Sequence, residues 1–260
     1  MAKDKKRREV VIAGNWKMYK NRNEAMHFIE TLAPLVKESQ VLIYLSVPFT
    51  AIASCVELVK KLDSSIMIGA QNMHDAKEGA FTGEIAAEML KDVGASFVIL
   101  GHSERRLHFG ESNEFINKKV HKALESGLRP ILCVGETLEE RERMKTILEE
   151  QISKSLADLS ADMIKPLILA YEPVWAVGTG KVACPSEAEE AHAFCRKVLS
   201  EQFGDEIASM LPILYGGSVK PENSAVLLEE NDIDGLLVGG ASLSAEVFNQ
   251  IIHFNIRVES

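Results

Sequence analysis

The chain alternates short, continuously apolar runs with longer stretches in which apolar residues recur at helical spacing. The runs begin 31, 25, 31, 34, 36, 46 and 22 residues apart, at Val10, Val41, Ile66, Phe97, Ile131, Leu167, Ile213 and Gly235. Continuous apolar character without alternation is typical of strands buried on both faces of a parallel sheet. The pattern therefore predicts eight buried parallel strands.

The segments between these runs carry helix signals. Asn21 with Glu24 matches a capping box, as does Ser186 with Glu189, and the stretch 139–159 predicts one long exposed helix. Eight strand–helix units without a Gly/Ser-rich linker predict a single-domain α/β fold, a (β/α)8 barrel, over residues 10–260. Residues 1–9 are predicted to be a charged, solvated tail. A doubly wound sheet is the alternative, but no glycine-rich dinucleotide motif follows the first strand.

Composition narrows the classes of function. The net charge of −9, from 29 Lys and Arg and 38 Asp and Glu, disfavours nonspecific binding to nucleic acid. No apolar run approaches the roughly 20 residues of a membrane span, and the basic start lacks the apolar core of a signal peptide. The four cysteines, Cys55, Cys133, Cys184 and Cys195, show no CxxC spacing. These features predict a cytoplasmic protein with reduced thiols and no nucleic-acid or membrane partner.

Polar and glycine residues follow the predicted strands where the catalytic face of a barrel would lie. They are Asn15, Lys17, His102, Glu104, Glu172, Ser218, Gly239 and Gly240. Glu172 stands between a core strand and Pro173, which favours a general base over a surface carboxylate. The glycine turns after the last two strands match the usual phosphate site of barrels, although they could be tight turns only.

Metal and nucleotide sites are disfavoured. No HExxH motif and no carboxylate cluster lies at the strand ends, so the sequence disfavours a metal site. The GTGK stretch at 178–181 is not a P-loop, because Trp175 replaces its first glycine and Val182 replaces its hydroxyl residue. Cys133 lies within a predicted strand and is expected to be a small buried hydrophobe.

Eight stretches together resemble the triosephosphate isomerase family, in family order over nearly the whole chain. They are AGNWKM (13–18), GAQN (69–72), GAFTGEI (79–85), ILGHSERR (99–106), CVGE (133–136), AYEPVWAVGTGK (170–181), YGGSVKPEN (215–223) and LVGGASL (237–243). The resemblance implies a (β/α)8 TIM barrel that interconverts dihydroxyacetone phosphate and D-glyceraldehyde 3-phosphate, in glycolysis and gluconeogenesis. It also implies a homodimer that needs no cofactor.

The resemblance assigns catalytic roles residue by residue. Glu172 would be the base that moves a proton between two carbons of the substrate. His102 would be a neutral imidazole that polarises the carbonyl. Asn15 and Lys17 would hold the substrate and offset the charge of the enediolate, and Glu104 would support Lys17.

The resemblance also assigns binding segments. Backbone amides of Gly178, Ser218, Gly239 and Gly240 would bind the phosphate. A lid would comprise Pro173, Val174, Trp175, Ala176, Val177, Gly178, Thr179, Gly180 and Lys181. The loop 79–85, with Thr82 at its tip, would reach into a partner subunit. The chain has Cys184 before Pro185, where Thr or Ser is common in the family, so either Cys184 or Ser186 would cap the helix after the lid.

Two rival functions are weaker. A Schiff-base aldolase on a phosphate-binding barrel needs a lysine at an inner strand position, whereas Lys17 follows the first strand and the sixth ends in Tyr171-Glu172. A catalytically dead barrel used for binding should have lost Lys17, His102 or Glu172, and all three are present. An added binding role stays open.

Overall fold

The structure is a computed structural model that describes residues 8–176 and 184–254. Its strands follow the predicted apolar runs in order: β1 (Val11–Asn15), β2 (Leu42–Val47), β3 (Met67–Ala70), β4 (Phe97–Leu100), β5 (Arg129–Val134), β6 (Ile168–Tyr171), β7 (Ile213–Tyr215) and β8 (Gly235–Val238). All neighbouring pairs are parallel, and β8 pairs with β1. The sheet is therefore a closed barrel, which confirms the predicted fold.

Helices surround this barrel. Within the described residues they are α1 (Arg22–Leu35), α2 (Ile52–Lys61), α3 (Ala87–Asp92), α4 (Ser103–Phe109), α5 (Asn113–Glu125), α6 (Met144–Ser155), α7 (Pro185–Phe203), α8 (Asp205–Met210), α9 (Pro221–Glu229) and α10 (Ala245–Ile252). Short 3-10 turns lie at Phe49–Ala51, Arg141–Arg143, Val174–Ala176 and Gly240–Leu243. Among these described helices, none has the length and apolar character needed to cross a bilayer.

The strands contribute to two apolar cores. Inward-facing side chains fill the barrel: Val11, Ala13, Tyr44, Phe97, Ile99, Ile131, Cys133, Ile168, Ala170, Leu214 and Leu237. The alternating residues, such as Ile12, Ile43 and Leu45, belong to the second core, between the barrel and its helices. Burial on both faces explains why the strands read as uninterrupted apolar runs. Cys133 is fully buried in the inner core, as predicted.

Helix boundaries agree with the sequence only in part. Asn21 caps α1 as predicted, accepting from the backbone N–H of Glu24 while the Glu24 carboxylate accepts from the N–H of Asn21. The prediction of one long exposed helix over 139–159 is wrong. A 3-10 turn precedes α6, which spans only Met144–Ser155 and buries Leu148 and Ile152 completely. Although α6 is rich in Glu and Lys, it is an amphipathic helix whose apolar face packs on the barrel.

The cap of α7 is Cys184, not Ser186. The Glu187 carboxylate accepts a 3.1 Å hydrogen bond from the backbone N–H of Cys184. Pro185 occupies the first helical position, where its fixed φ and missing N–H are well tolerated, so the helix has already begun before Ser186. The predicted Ser186–Glu189 box is therefore shifted by two residues.

The last residues of the predicted tail contact the bottom of the barrel. Arg8 Nε lies 2.5 Å from Asp234 Oδ1, and Arg196 donates to the other oxygen of Asp234 at 2.6 Å. Glu9 accepts from Arg129 at 2.7 Å. Arg8 and Glu9 are thus ion-paired with the barrel, whereas residues 1–7 lie outside the described part. The predicted boundary of the domain stays a prediction.

A buried histidine outside the barrel mouth should make stability depend on pH. His192 on α7 is fully buried and lies 3.2 Å from the Asp232 carbonyl, to which Nδ1–H donates. Its Nε2 has no hydrogen-bond partner among the described residues. Burial lowers the pKa of His192 from 6.5 to about 3. The folded protein therefore holds a neutral ring, while the unfolded chain takes up a proton below about pH 6.5.

We expect His192 to contribute a stabilisation that is present above pH 6.5 and is lost as the pH falls towards 3. Between pH 7 and pH 5, the wild type should lose about 2 kcal/mol more unfolding free energy than His192→Gln. Urea unfolding at both pH values measures this difference, and His27→Gln, on the exposed face of α1, is the control. Equal losses in the wild type and His192→Gln would contradict the neutral-ring assignment.

Candidate active site

The predicted strand-end residues converge on one cavity at the carboxyl end of the barrel. The cavity has a volume of about 320 Å³ and is lined by Asn15, Lys17, His102, Glu172, Gly216, Gly217, Ser218, Val219, Lys220, Leu237, Gly239, Gly240 and Ala241. Glu104 does not line the cavity but forms an ion pair with Lys17, which does. Gly178 lies outside the described residues.

Glu172 is held rigidly at the end of β6. Its backbone N–H donates to the Val134 carbonyl at 2.8 Å. A Cβ atom on Gly135 would lie only 1.8 Å from the Glu172 carbonyl oxygen, so the close approach of the two chains requires glycine there. The Glu172 residue is only 2% exposed. These constraints fix the position from which its carboxylate reaches into the cavity.

Three groups stabilise the charged form of Glu172. Oε1 lies 2.9 Å from His102 Nε2, and Oε2 accepts from the Ser103 backbone N–H at 3.0 Å. Burial raises the pKa of this carboxyl, but His102, the Ser103 N–H and the Lys17 charge outweigh burial and lower it overall. The side chain is therefore an ionised carboxylate at neutral pH, as a base must be.

His102 caps α4 and has its two ring nitrogens in different roles. Nδ1 accepts from the Glu104 backbone N–H at 3.2 Å, which leaves Nε2 to donate to Glu172. Burial opposes the charged ring, while the Glu172 carboxylate raises the pKa of His102 overall. The hydrogen bond at Nδ1 opposes this rise in the pKa, because Nδ1 cannot accept a hydrogen bond from the Glu104 N–H once it is protonated. The partial positive charge at the start of α4 also disfavours a protonated ring. These contacts place the ring proton on Nε2 and leave Nδ1 as the acceptor.

The first loop presents Lys17 in an uncommon backbone conformation, with φ of 52°. The Asn15 side chain accepts from the Lys17 N–H at 3.0 Å, and Gln71 Nε2 donates to the Lys17 carbonyl at 2.8 Å. The Lys17 ammonium lies 2.5 Å from Glu104 Oε1. Sequence reasoning missed the contribution of Gln71, although its position directly after β3 could have indicated it.

The described part of the predicted lid is anchored on Glu136, a second residue that sequence reasoning missed. Its carboxylate accepts from Trp175 Nε1 at 2.9 Å and from the Tyr171 hydroxyl at 3.1 Å. Burial raises the pKa of Glu136 despite these hydrogen bonds. The Arg141 guanidinium lies 3.9 Å from the centre of the Trp175 ring. Pro173 and Val174 also lie in the described part, whereas Val177, Gly178, Thr179, Gly180 and Lys181 lie outside it.

The loop 79–85 is exposed, with Thr82 at the surface. Phe81 is 48% exposed, and the other face of its ring stacks on His74 at 4.3 Å. Elsewhere in the described ranges, no three His, Cys, Asp or Glu side chains come together as a metal-binding group. Cys55, Cys133 and Cys195 are buried free thiols, and Cys184 is an exposed one.

A buried carboxylate paired with an imidazole, near a lysine and glycine turns, is equipped for proton transfer. Its place at the carboxyl ends of the strands defines the protein as a (β/α)8-barrel enzyme that uses acid–base chemistry.

Comparison with known proteins identifies the family within this class. The family model described as triosephosphate isomerase matches residues 10–255. A triosephosphate isomerase of Protochlamydia amoebophila is 54% identical over 259 residues, covering 97% of each chain. One of Fusobacterium nucleatum is 52% identical and covers 94% of this chain and 98% of its own. One of Carboxydothermus hydrogenoformans is 52% identical, and the match covers 96% of this chain and 100% of the relative. The chain belongs to the triosephosphate isomerase family.

Proposed function

We propose that this chain interconverts dihydroxyacetone phosphate and D-glyceraldehyde 3-phosphate by proton transfer through an enediolate, a step of glycolysis and gluconeogenesis. The observation that carries the proposal is the 2.9 Å contact between the Glu172 carboxylate and His102 Nε2 inside a cavity that Lys17 also lines. The three side chains together supply a base, an electrophile and a cation at one point. Removal of a proton from the carbon beside a carbonyl requires these groups.

Glu172 takes the proton from one carbon and returns it to the next. Its carboxylate bonds to His102 and to the Ser103 N–H, and it exchanges these contacts for the substrate when the substrate binds. His102 is then free to donate its Nε2 proton to the substrate oxygens. Because the ring is neutral, it can give and recover this proton as the carbonyl and hydroxyl exchange places.

Lys17 and Asn15 hold the substrate and offset its developing charge. The Lys17 ammonium lines the cavity at the end of the first strand, where a partly buried cation stabilises an enediolate more than it does in water. Glu104 lies 2.5 Å from this ammonium and supports its position. No step of this scheme uses a metal or an organic cofactor.

Backbone amides of Ser218, Gly239 and Gly240 bind the phosphate, together with Gly178 from outside the described residues. The three described residues line the cavity that Glu172 enters, which supports a phosphate site within one small molecule's length of the base. Pro173–Lys181 act as a lid that excludes water from the intermediate. The anchoring of Trp175 on Glu136 supports a fixed starting point for this lid.

Residues 10–260 form one catalytic domain in this proposal, preceded by a charged tail at residues 1–9. The enzyme works in the cytoplasm, which the four free thiols support.

Two copies form a homodimer through the loops that follow the first four strands. Exposed apolar side chains lie in the segments that follow these strands: Met18 at 95%, Phe49 at 40%, Phe81 at 48% and Phe109, the last residue of α4, at 67% exposure. Such an apolar surface on one face of a protein is typical of an interface. The loop 79–85, with Thr82 at its tip, inserts into the partner.

Thr82→Arg should therefore weaken association and reduce activity together, because a desolvated charge at the tip has no partner. Sedimentation and activity are measured at the same protein concentration. Thr146→Arg, an exposed threonine on α6, adds the same charge away from these loops and should change neither. A fully active Thr82→Arg monomer would contradict the coupling of assembly to activity.

The direct test of the function is a coupled assay of the purified protein in both directions. Turnover of both triose phosphates is expected, and no turnover of either would overturn the proposal. Borohydride trapping separates the aldolase alternative, since only a Schiff-base enzyme forms a covalent lysine adduct with a triose phosphate. We expect no adduct.

A further inference from the structure

The turn that follows β8 is closed on itself by Ser242. The Ser242 backbone N–H and its hydroxyl both donate to the Gly239 carbonyl, at 2.8 and 2.7 Å. Ser242 is fully buried. The segment 239–243, here called the phosphate turn, therefore has a defined shape of its own.

Two side chains of the first loop hold this turn from outside. Trp16 Nε1 donates to the Ser242 carbonyl at 3.0 Å, and Lys20 Nζ donates to the Leu243 carbonyl at 2.8 Å. The two acceptors are successive carbonyls, so the turn is fixed at two adjacent points. Trp16 is fully buried, and the Lys20 ammonium lies 5.4 Å from the centre of its ring.

The turn also packs directly on the first strand. A Cβ atom on Gly14 would lie 3.0 Å from Ser242 Cβ, so no side chain separates the two segments. Lys17 Cε lies 3.6 Å from the position of a Cβ atom on Gly239. The loop that presents the Lys17 cation thus contacts the phosphate turn along most of its length.

We propose that Trp16 and Lys20 are positioning residues that hold the phosphate turn in its binding geometry. This inference rests on the proposed function. Backbone amides bind a phosphate well only when they already point at it, since the cost of ordering them is otherwise subtracted from the affinity. Neither side chain lines the substrate cavity, so both act through the turn.

The two anchors can be removed separately. Trp16→Phe keeps an aromatic ring against Phe28, whose centroid lies 4.9 Å away, and removes the indole N–H without changing the charge. Lys20→Met keeps an apolar stem and removes the donor and its charge. Lys91→Met is the matched control, because Lys91 also donates to a backbone carbonyl, that of Gly127 at 3.3 Å, on another part of the barrel.

The assays compare a substrate with and without phosphate. Loss of one hydrogen bond should raise the KM for D-glyceraldehyde 3-phosphate and the inhibition constant of inorganic phosphate about fivefold in Trp16→Phe and Lys20→Met. The kcat/KM for phosphate-free D-glyceraldehyde should stay within about twofold of wild type, because that substrate does not use the turn. Lys91→Met should match the wild type in all three measurements.

An equal fall of kcat/KM for both substrates in Trp16→Phe would overturn the inference, because it would indicate a general structural role. Unchanged phosphate inhibition in both variants would overturn it as well. If only Lys20→Met weakens phosphate binding, and high salt abolishes the effect, Lys20 acts as a charge and not as an anchor. A wild-type protein without isomerase activity would instead refute the proposed function.

Discussion

Glu172→Asp is expected to lower kcat by about 10²-fold while KM for the triose phosphate stays nearly constant. The backbone of residue 172 is fixed by its hydrogen bond to Val134 and by the close approach of Gly135, so it cannot follow the shorter side chain. The carboxylate would keep its charge but withdraw by about one methylene. A displacement near 1 Å is sufficient for a loss of this size when the base and the carbon must be aligned.

Steady-state rates in both directions measure this effect. A substrate deuterated at the carbon that loses its proton shows, by its isotope effect, whether proton transfer limits turnover. Glu189→Asp is the control, since Glu189 also accepts a backbone N–H, that of Asp232 at 3.0 Å, but lies on α7. If Glu172→Asp kept more than half of the wild-type kcat with proton transfer rate-limiting, Glu172 could not be the base.

His102→Gln should lower kcat by about 10²- to 10³-fold, with KM little changed. The glutamine amide can still donate a hydrogen bond, but it cannot return a proton to the substrate oxygens as a neutral imidazole does. It also lacks the nitrogen that accepts the Glu104 N–H and orients the ring. The loss should therefore appear in the chemical step and not in binding.

His121→Gln provides the comparison for this variant. His121 on α5 bonds to the Ala157 carbonyl at 2.9 Å and does not line the cavity that holds His102 and Glu172. It should keep wild-type kinetics. A His102→Gln variant with wild-type kcat would show that the carbonyl is polarised by another group.

The positions of the strands could be predicted because burial on both faces leaves a continuous apolar run. Phe97–Leu100 and Ile213–Tyr215 begin at the first residues of their predicted runs. The extent of α6 could not be predicted in the same way, since two buried residues, Leu148 and Ile152, are hidden among charged neighbours. The start of α7 at Pro185, with Cys184 as its cap, follows from the preference of proline for the first helical turn. That preference was a better guide to the helix start than the capping-box pattern at Ser186.

The members of the candidate site could be predicted from strand-end positions, but their connections could not. Gln71 acts on Lys17 from 54 residues away, and Glu136 holds Trp175 from 39 residues away. Such contacts depend on the register of the barrel and on side-chain directions, which no local pattern encodes. The same holds for Trp16 and Lys20, whose acceptors lie at the other end of the chain.

The most direct measurement is the isomerisation of dihydroxyacetone phosphate by the wild-type protein in D₂O, followed by magnetic resonance of the carbon-bound hydrogens. Transfer through an enediolate by Glu172 predicts that, after many turnovers, one carbon-bound deuterium appears in each triose phosphate, because the carboxylic acid exchanges its proton with solvent. Equilibration of the two triose phosphates without any carbon-bound deuterium would indicate a direct hydride shift and would contradict the assignment of Glu172 as the base.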